Sequence, residues 1–76
     1  MNEEELRDLL SRVCERDLAR IGLDDDFSRL GLDSLTGLRM LAAVEKHADV
    51  RFPDDRLEQF RTLRAILDHL QQASES

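Results

Sequence analysis

The sequence is poor in the residues that cross-link a fold, bind a metal or build large aromatic cores. It contains no tryptophan or tyrosine, three phenylalanines and a single cysteine among 76 residues. One cysteine cannot form an internal disulfide, and no cysteine and histidine cluster with metal-ligand spacing surrounds Cys14, His47 or His69. We therefore expect no metal site and no role for the histidines, and we expect Cys14 to pack as a small apolar residue.

Long apolar runs are also missing, and no stretch approaches the roughly 18 residues that span a bilayer. The chain starts with acidic residues at 3–5, where a secretory signal would be basic. With 17 acidic and 11 basic residues the net charge is −6, which disfavours nucleic acid and anionic lipid and favours basic protein surfaces. We expect a cytoplasmic monomer that binds proteins rather than nucleic acid or membranes.

The length allows one small domain, 1–76, which ends in a polar tail at about 71–76. A chain this short buries only about 60% of the surface that its unfolded form exposes, which leaves little room for a deep enzyme pocket. No internal repeat or Gly/Ser-rich linker divides it, and no alternating apolar run predicts a strand. The pattern therefore favours an all-α bundle.

The first helix is predicted from a capping box, Asn2 with Glu5, followed by apolar residues at helical spacing. These apolar residues are Leu6, Leu9, Leu10, Val13, Cys14 and Leu18. Gly22 is expected to end the helix. The stretch from there to Gly31 has no sustained period, and we expect it to pack on the core as a loop.

The second helix is predicted to begin at an N-cap, Asp33 or Ser34, and to run to about Ala48. At about 100° per residue it carries two stripes. The stripe expected to pack contains Gly37, Met40, Leu41, Val44 and Ala48. The stripe expected to be exposed contains Leu35, Arg39, Ala42 and Lys46.

Two further helices complete the prediction. Pro53 starts a short third helix that extends through Phe60. Thr62 caps a last helix, whose apolar positions end at Leu70 before the polar tail frays. The predicted fold is thus a bundle of four helices, three longer and one short.

Ser34 occupies a chemically informative place, on the first turn of a helix directly after a turn that contains glycine. A phosphodiester on its hydroxyl would lie beside unpaired backbone N–H groups at the positive helix end. Gly31 would let the chain turn tightly there. An isolated Asp-Ser pair before an apolar run is more often an ordinary helix cap, so the tripeptide alone is weak evidence for an attachment site.

The segment Leu30-Gly31-Leu32-Asp33-Ser34-Leu35 resembles the attachment motif of the phosphopantetheine-binding carrier family, which reads Asp-Ser-Leu and is commonly preceded by Leu-Gly and one variable residue. The resemblance covers nearly the whole chain, including the link at 50–54 and the start of the last helix at 62–63. It implies a freestanding acyl carrier protein with a four-helix bundle. A phosphopantetheinyl transferase would attach 4'-phosphopantetheine from coenzyme A to Ser34, and acyl groups would ride on it as thioesters.

The same resemblance makes Ser34 an acceptor rather than a catalyst, so the protein is expected not to be an enzyme. Asp33 is expected to assist recognition by the transferase. The exposed stripe is expected to dock acyl-loading, condensing or acyltransferase enzymes through Leu35, Arg39, Ala42 and Lys46. Related carriers of fatty acid synthesis mostly have acidic residues in place of Arg39 and Lys46, which favours other pathways.

Two further features bear on the pathway. Peptidyl carriers usually have a second glycine where Leu32 stands, so the motif favours fatty-acyl or polyketide carriers. Ten arginines against the single Lys46 are typical of GC-rich coding sequence, which fits bacterial secondary metabolism. We therefore expect polyketide, lipopeptide or other secondary metabolism rather than housekeeping fatty acid synthesis.

The residues argue against two other functions. A calcium loop starting at Asp24 would have Arg29 in place of its glycine and Leu35 in place of its bidentate glutamate, so we reject it. A serine hydrolase cannot be built from so short a chain without strands. An unmodified helical interaction domain and an aminoacyl or peptidyl carrier both remain open.

Overall fold

A computed structural model describes the backbone of residues 1–75 and the side chains through residue 73. Three α-helices dominate: α1 (Glu3–Cys14), α2 (Ser34–Ala48) and α3 (Leu63–Glu75). Two 3-10 helices, η1 (Phe27–Leu30) and η2 (Asp54–Gln59), lie between them. Over this part of the chain the fold is entirely helical, as predicted, and η2 is the short third helix. The turn η1 was not predicted.

Helix α1 begins as predicted but ends earlier. The Asn2 side chain accepts a hydrogen bond from the Glu5 N–H at 2.8 Å. The helix stops at Cys14, because Glu15 adopts the left-handed conformation (φ 57°) and its N–H bonds to the Ser11 carbonyl. Our extension of this helix through Leu18 to Gly22 was wrong. Leu18 is buried, but it belongs to a loop that folds back on α1.

Arg7 holds this returning loop in place. One of its guanidinium nitrogens donates to three backbone carbonyls, those of Leu18 at 3.0 Å, Ala19 at 3.3 Å and Ile21 at 2.6 Å. Its Nε also pairs with Glu3 at 3.0 Å. Position 7 lies off the apolar stripe of α1, yet the side chain is only 15% exposed. Arg7 therefore stabilises the fold and is not an ordinary solvent-exposed residue.

The following acidic run fastens the loop to the start of α3. Asp24 accepts from the Arg64 Nε at 2.6 Å, and this hydrogen bond is the main reason that the pKa of Asp24 lies below its ordinary value. Two backbone hydrogen bonds reinforce this contact. The Arg64 N–H donates to the Leu23 carbonyl at 3.0 Å, and the Phe27 N–H donates to the Arg61 carbonyl at 2.8 Å. Among the described residues no cluster of His, Cys, Asp and Glu could hold a metal ion.

The core lies where the three α-helices meet the loop. The predicted packing stripe of α2 is confirmed for Met40, Leu41 and Val44, which are buried, and for Ala48, which packs against the core. It is wrong for Gly37, which lines an open groove because no neighbour lies within 4 Å of where its Cβ would be. The remaining buried residues are Leu6, Leu10, Leu18, Phe27, Phe52, Leu63, Ile66 and Leu70. Cys14 is partly buried and packs against this cluster.

Helix α3 starts at the predicted cap, with Thr62 Oγ1 accepting from the Ala65 N–H at 3.2 Å. It continues to Glu75, beyond the end that we predicted at Leu70; Ser76 lies outside the described residues. His69 on this helix stacks on Phe52 at 4.7 Å, and its Nε2 donates to the Arg51 carbonyl at 2.6 Å. Within residues 1–75 no helix is long and apolar enough to cross a membrane.

Candidate attachment site and docking surface

Ser34 is the first residue of α2 and its side chain is exposed. The preceding residue, Asp33, is the N-cap: its Oδ1 accepts from the Thr36 N–H at 2.8 Å, and its carbonyl accepts from the Gly37 N–H at 3.0 Å. The sequence left Asp33 and Ser34 as alternative caps, and the structure assigns this role to Asp33. The seryl hydroxyl is thereby left available at the surface.

The turn before Ser34 depends on a glycine. Gly31 ends η1 with φ +78°, a conformation that L side chains rarely adopt, and its N–H bonds to the Ser28 carbonyl at 3.2 Å. Asp26 opens η1 by accepting from the Ser28 N–H at 2.8 Å. The tight turn predicted at Gly31 is confirmed, and it delivers the chain directly into α2.

The start of α2 is electrostatically suited to an anion. The first N–H groups of an α-helix have no intrahelical acceptor. The Thr36 N–H already donates to Asp33. The N–H groups of Ser34 and Leu35 can therefore donate to an anionic group attached to the Ser34 hydroxyl. The pKa of Asp33 lies below its ordinary value, first because of the hydrogen bonds from Thr36 and further because of the positive charge of Arg39. Asp33 is therefore an anion whose charge is compensated locally.

A groove of about 430 Å³ opens beside Ser34, between η1, α2 and η2. A Cβ added at Gly37, which lines this groove, would meet no atom within 4 Å, so the glycine leaves real space there. The apolar side chains of the groove are Phe27, Leu32, Leu38, Leu41, Leu57 and Phe60. An exposed hydroxyl, two free N–H groups and an adjoining apolar groove fit a phosphate-linked arm that carries a hydrophobic load.

The exposed stripe of α2 flanks this site. Leu35, Arg39, Ala42 and Lys46 are all exposed, as predicted, and Leu35 retains 58% of its surface. The structure adds Leu38, which is 47% exposed and also touches the groove. Sequence analysis missed Leu38 because it falls about 60° from the centre of the exposed stripe, between the two stripes. A large apolar residue at such a boundary was the signal available.

Ser34 thus combines an exposed hydroxyl on the first turn of a helix with an adjoining apolar groove and an exposed helix face. Comparisons with known proteins identify the family of the chain. The family model described as "Phosphopantetheine attachment site" matches residues 4–70. The chain belongs to this phosphopantetheine-attachment family.

Individual relatives fall into two groups. The acyl carrier protein of Streptomyces coelicolor is 38% identical over 73 residues, which cover 92% of this chain and 78% of that protein. The acyl carrier protein of Aster yellows witches'-broom phytoplasma is 32% identical over 68 residues, covering 88% and 90%. The nonribosomal peptide synthetase nanA of Aspergillus nanangensis is 36% identical over 75 residues, which cover 97% of this chain and only 3% of the synthetase.

Family membership settles the general role. The protein is a non-catalytic carrier with a 4'-phosphopantetheine prosthetic group. The geometry around Ser34 fits that group. Family membership does not by itself identify the attachment residue or the partner enzymes.

Proposed function

We propose that Ser34 carries the phosphopantetheine arm and that the protein holds acyl intermediates of a biosynthetic pathway as thioesters. The observation that carries this proposal is the exposure of Ser34 on the first turn of α2, beside the apolar groove. When bound, the arm supplies the thiol to which cargo is esterified.

The residues around Ser34 divide the work. The seryl Oγ forms a phosphodiester with the phosphopantetheine part of coenzyme A, and the nucleotide part leaves; a phosphopantetheinyl transferase supplies the base that takes the seryl proton. The N–H groups of Ser34 and Leu35 then stabilise the negative phosphodiester. Asp33 presents a charge for recognition by the transferase, in addition to capping α2.

The groove provides partial shelter for a short acyl chain. Its apolar walls adjoin Ser34, and Gly37 leaves space along α2. Burying apolar cargo there removes it from water, which is favourable by about 25 cal/mol per Å². A thioester drawn towards the groove is also less accessible to hydrolysis.

The exposed stripe of α2 is proposed as the docking surface for acyl-loading, condensing or acyltransferase enzymes. Its residues Leu35, Arg39, Ala42 and Lys46 lie on the helix that begins with Ser34, so a docked enzyme would be close to the arm. The interaction takes place in the cytoplasm, and it serves secondary metabolism, such as polyketide or lipopeptide assembly, rather than housekeeping fatty acid synthesis. Leu32, Arg39 and Lys46 support this assignment.

A second candidate is an aminoacyl or peptidyl carrier. It is favoured by the similarity to nonribosomal peptide synthetases, of which the chain spans a very small part. The two candidates share Ser34, the arm and the fold, and they differ in cargo.

The attachment site is tested by intact-protein mass spectrometry after incubation with coenzyme A and a broad-specificity transferase. We expect the wild type to gain one phosphopantetheine and Ser34→Ala to gain none. Ser28→Ala is the matched control, because Ser28 is an exposed serine that lines the same groove. Loss of modification in Ser28→Ala but not in Ser34→Ala would place the arm on Ser28 and contradict the proposal. A wild type that gains no phosphopantetheine would favour an unmodified interaction domain.

The cargo is tested on protein isolated from its native cells. Fragmentation that releases the loaded arm gives the mass of the group attached to it. An acyl chain without an α-amino group supports the acyl carrier, whereas an aminoacyl or peptidyl group supports the second candidate.

A further inference from the structure

The exposed face of α2 has the opposite charge to the protein as a whole. The net charge is −6, yet the charged residues on this face are Arg39 and Lys46. The remaining charged residue of α2 is Glu45, which is half-buried and accepts a hydrogen bond from the Phe52 N–H at 2.9 Å. The face that adjoins Ser34 is therefore basic.

Both cations are available to a partner. In the part of the chain that the structure describes, the ion pairs are Arg7 with Glu3 and Arg64 with Asp24. Neither Arg39 nor Lys46 is paired, and both are exposed. Lys46 lies in the last turn of α2, where it also complements the helix dipole. Arg39 lies in the second turn, where the dipole offers it no such advantage.

Apolar surface accompanies the charges. Leu35 and Leu38 are 58% and 47% exposed, although most large apolar residues of the described chain are buried or half-buried. Leu35 and Arg39 are four residues apart, so they are neighbours on one side of the helix. Exposed leucines bordered by charges have the composition of a small protein interface, with an apolar centre and a polar rim.

More arginines lie around the same end of the molecule. The guanidinium of Arg16 would lie 3.6 Å from a Cβ at Gly31, and the charge of Arg61 acts on Asp26; Arg61 and Asp26 both line the groove. Of the acidic residues that line the groove with Ser34, Asp26 and Asp33 act as helix caps, and Glu58 is exposed. Arg39 and Lys46 form no ion pair within the described residues, so their donors can reach carboxylates of a partner.

We propose that the enzymes served by this carrier dock on α2 through an acidic surface, in which an apolar depression receives Leu35 and Leu38 and two carboxylates meet Arg39 and Lys46. These carboxylates are about 10 Å apart, the rise of seven helical residues. This inference rests on the proposed function and specifies its partner. Repulsion from distant acidic residues is screened beyond about 8 Å at physiological salt, so the contact charges determine orientation.

The test uses two helical peptides of about 18 residues, five turns, as probes. They share one leucine stripe and differ in its flanking residues, which are glutamates in one peptide and lysines in the other, spaced to face Arg39 and Lys46. Each is titrated into the unmodified, isotopically labelled protein while amide chemical shifts are followed. We expect the glutamate peptide to bind at least about fivefold more tightly and to shift amides of α2.

The variant Arg39→Glu/Lys46→Glu should reverse this preference. The matched control is Arg12→Glu/Arg20→Glu, which changes the net charge equally at exposed positions on α1 and its following loop. We expect the control to alter either affinity by less than about twofold. Equal binding of both peptides, no binding, shifts outside α2, or an equal effect of the control would each overturn the proposal. Peptide binding does not require Ser34 to be modified, so this result is independent of the mass test.

Discussion

The two faces of α2 differ sharply in exposure. One face is closed: Met40 and Val44 have at most 1% exposure and pack against the rest of the core. The other face is open, with Leu35 and Arg39 in solvent. The same 15 residues therefore hold the fold together on one side and present the proposed attachment and docking surface on the other. Substitutions on the two faces should therefore affect stability and function separately.

The largest predicted effect is on the closed face. Met40→Ala should lower the free energy of unfolding by about 2–5 kcal/mol, because it removes buried methylene and sulfur atoms and leaves a cavity. Leu35→Ala on the open face should change it by less than about 0.5 kcal/mol. Urea unfolding followed by circular dichroism measures both. Similar losses in the two variants would contradict the division between the faces.

The next effect extends the comparison to α1. Arg7 lies off the apolar stripe of this helix, yet it stabilises the fold by binding three loop carbonyls. Arg7→Met should keep much of the side-chain volume and lower the free energy of unfolding by about 1–2 kcal/mol, since three carbonyls lose their charged donor. Arg12→Met is the control, because Arg12 is exposed on the same helix. Equal unfolding midpoints in urea for the two variants would show that the carbonyl contacts add nothing.

Asp33 lies at the junction of the two faces, and its two roles can be separated. Asn caps helices about as well as Asp, so Asp33→Asn should lower the melting temperature only slightly while slowing modification by the transferase. Asp33→Ala should lower both. Thermal unfolding and the rate of phosphopantetheine transfer are the two measurements. A normal transfer rate in Asp33→Asn would remove the charge of Asp33 from recognition.

The smallest effect is the pH dependence of stability that arises from three aspartates near the surface. The pKa values of Asp24, Asp26 and Asp33 are held below their ordinary value, each chiefly by a hydrogen bond. Their contribution to stability is present above the unfolded pKa of about 3.9 and is lost as pH falls through the lower folded values. Melting temperatures should therefore be level from neutral pH to about 5 and fall below about 4. A triple Asn variant should show a shallower fall.

The sequence predicted α2, η2 and the start of α3 well because each begins with a local signal, namely Asp33, Pro53 and Thr62. It could not predict the path between α1 and α2. That path depends on Arg7, whose carbonyl acceptors lie 11 to 14 residues away, and on Arg64, which pairs with Asp24 across 40 residues. These long-range hydrogen bonds form only when the fold is assembled, so helical periodicity in the sequence cannot predict them.

The candidate site was predicted to a similar degree. The place of Ser34 followed from the motif and from the turn at Gly31, both of which are local. The groove could not be foreseen, because its walls come from segments far apart in sequence, including Phe27, Leu41 and Phe60. Leu38 was overlooked for a local reason, since it lies between the two stripes of α2 and the helical period assigns it to neither.

Gly37 gives the site a property of its own. A glycine inside a helix is about 1 kcal/mol less favourable than alanine, and here no neighbour would obstruct the added methyl group. The first turns of α2 are thus weaker than they need be, and the volume beside Ser34 is correspondingly larger. A single methyl group at this position would narrow the groove and stiffen α2 without disturbing the buried core. If cargo enters the groove as proposed, its tolerated size can evolve independently of the fold.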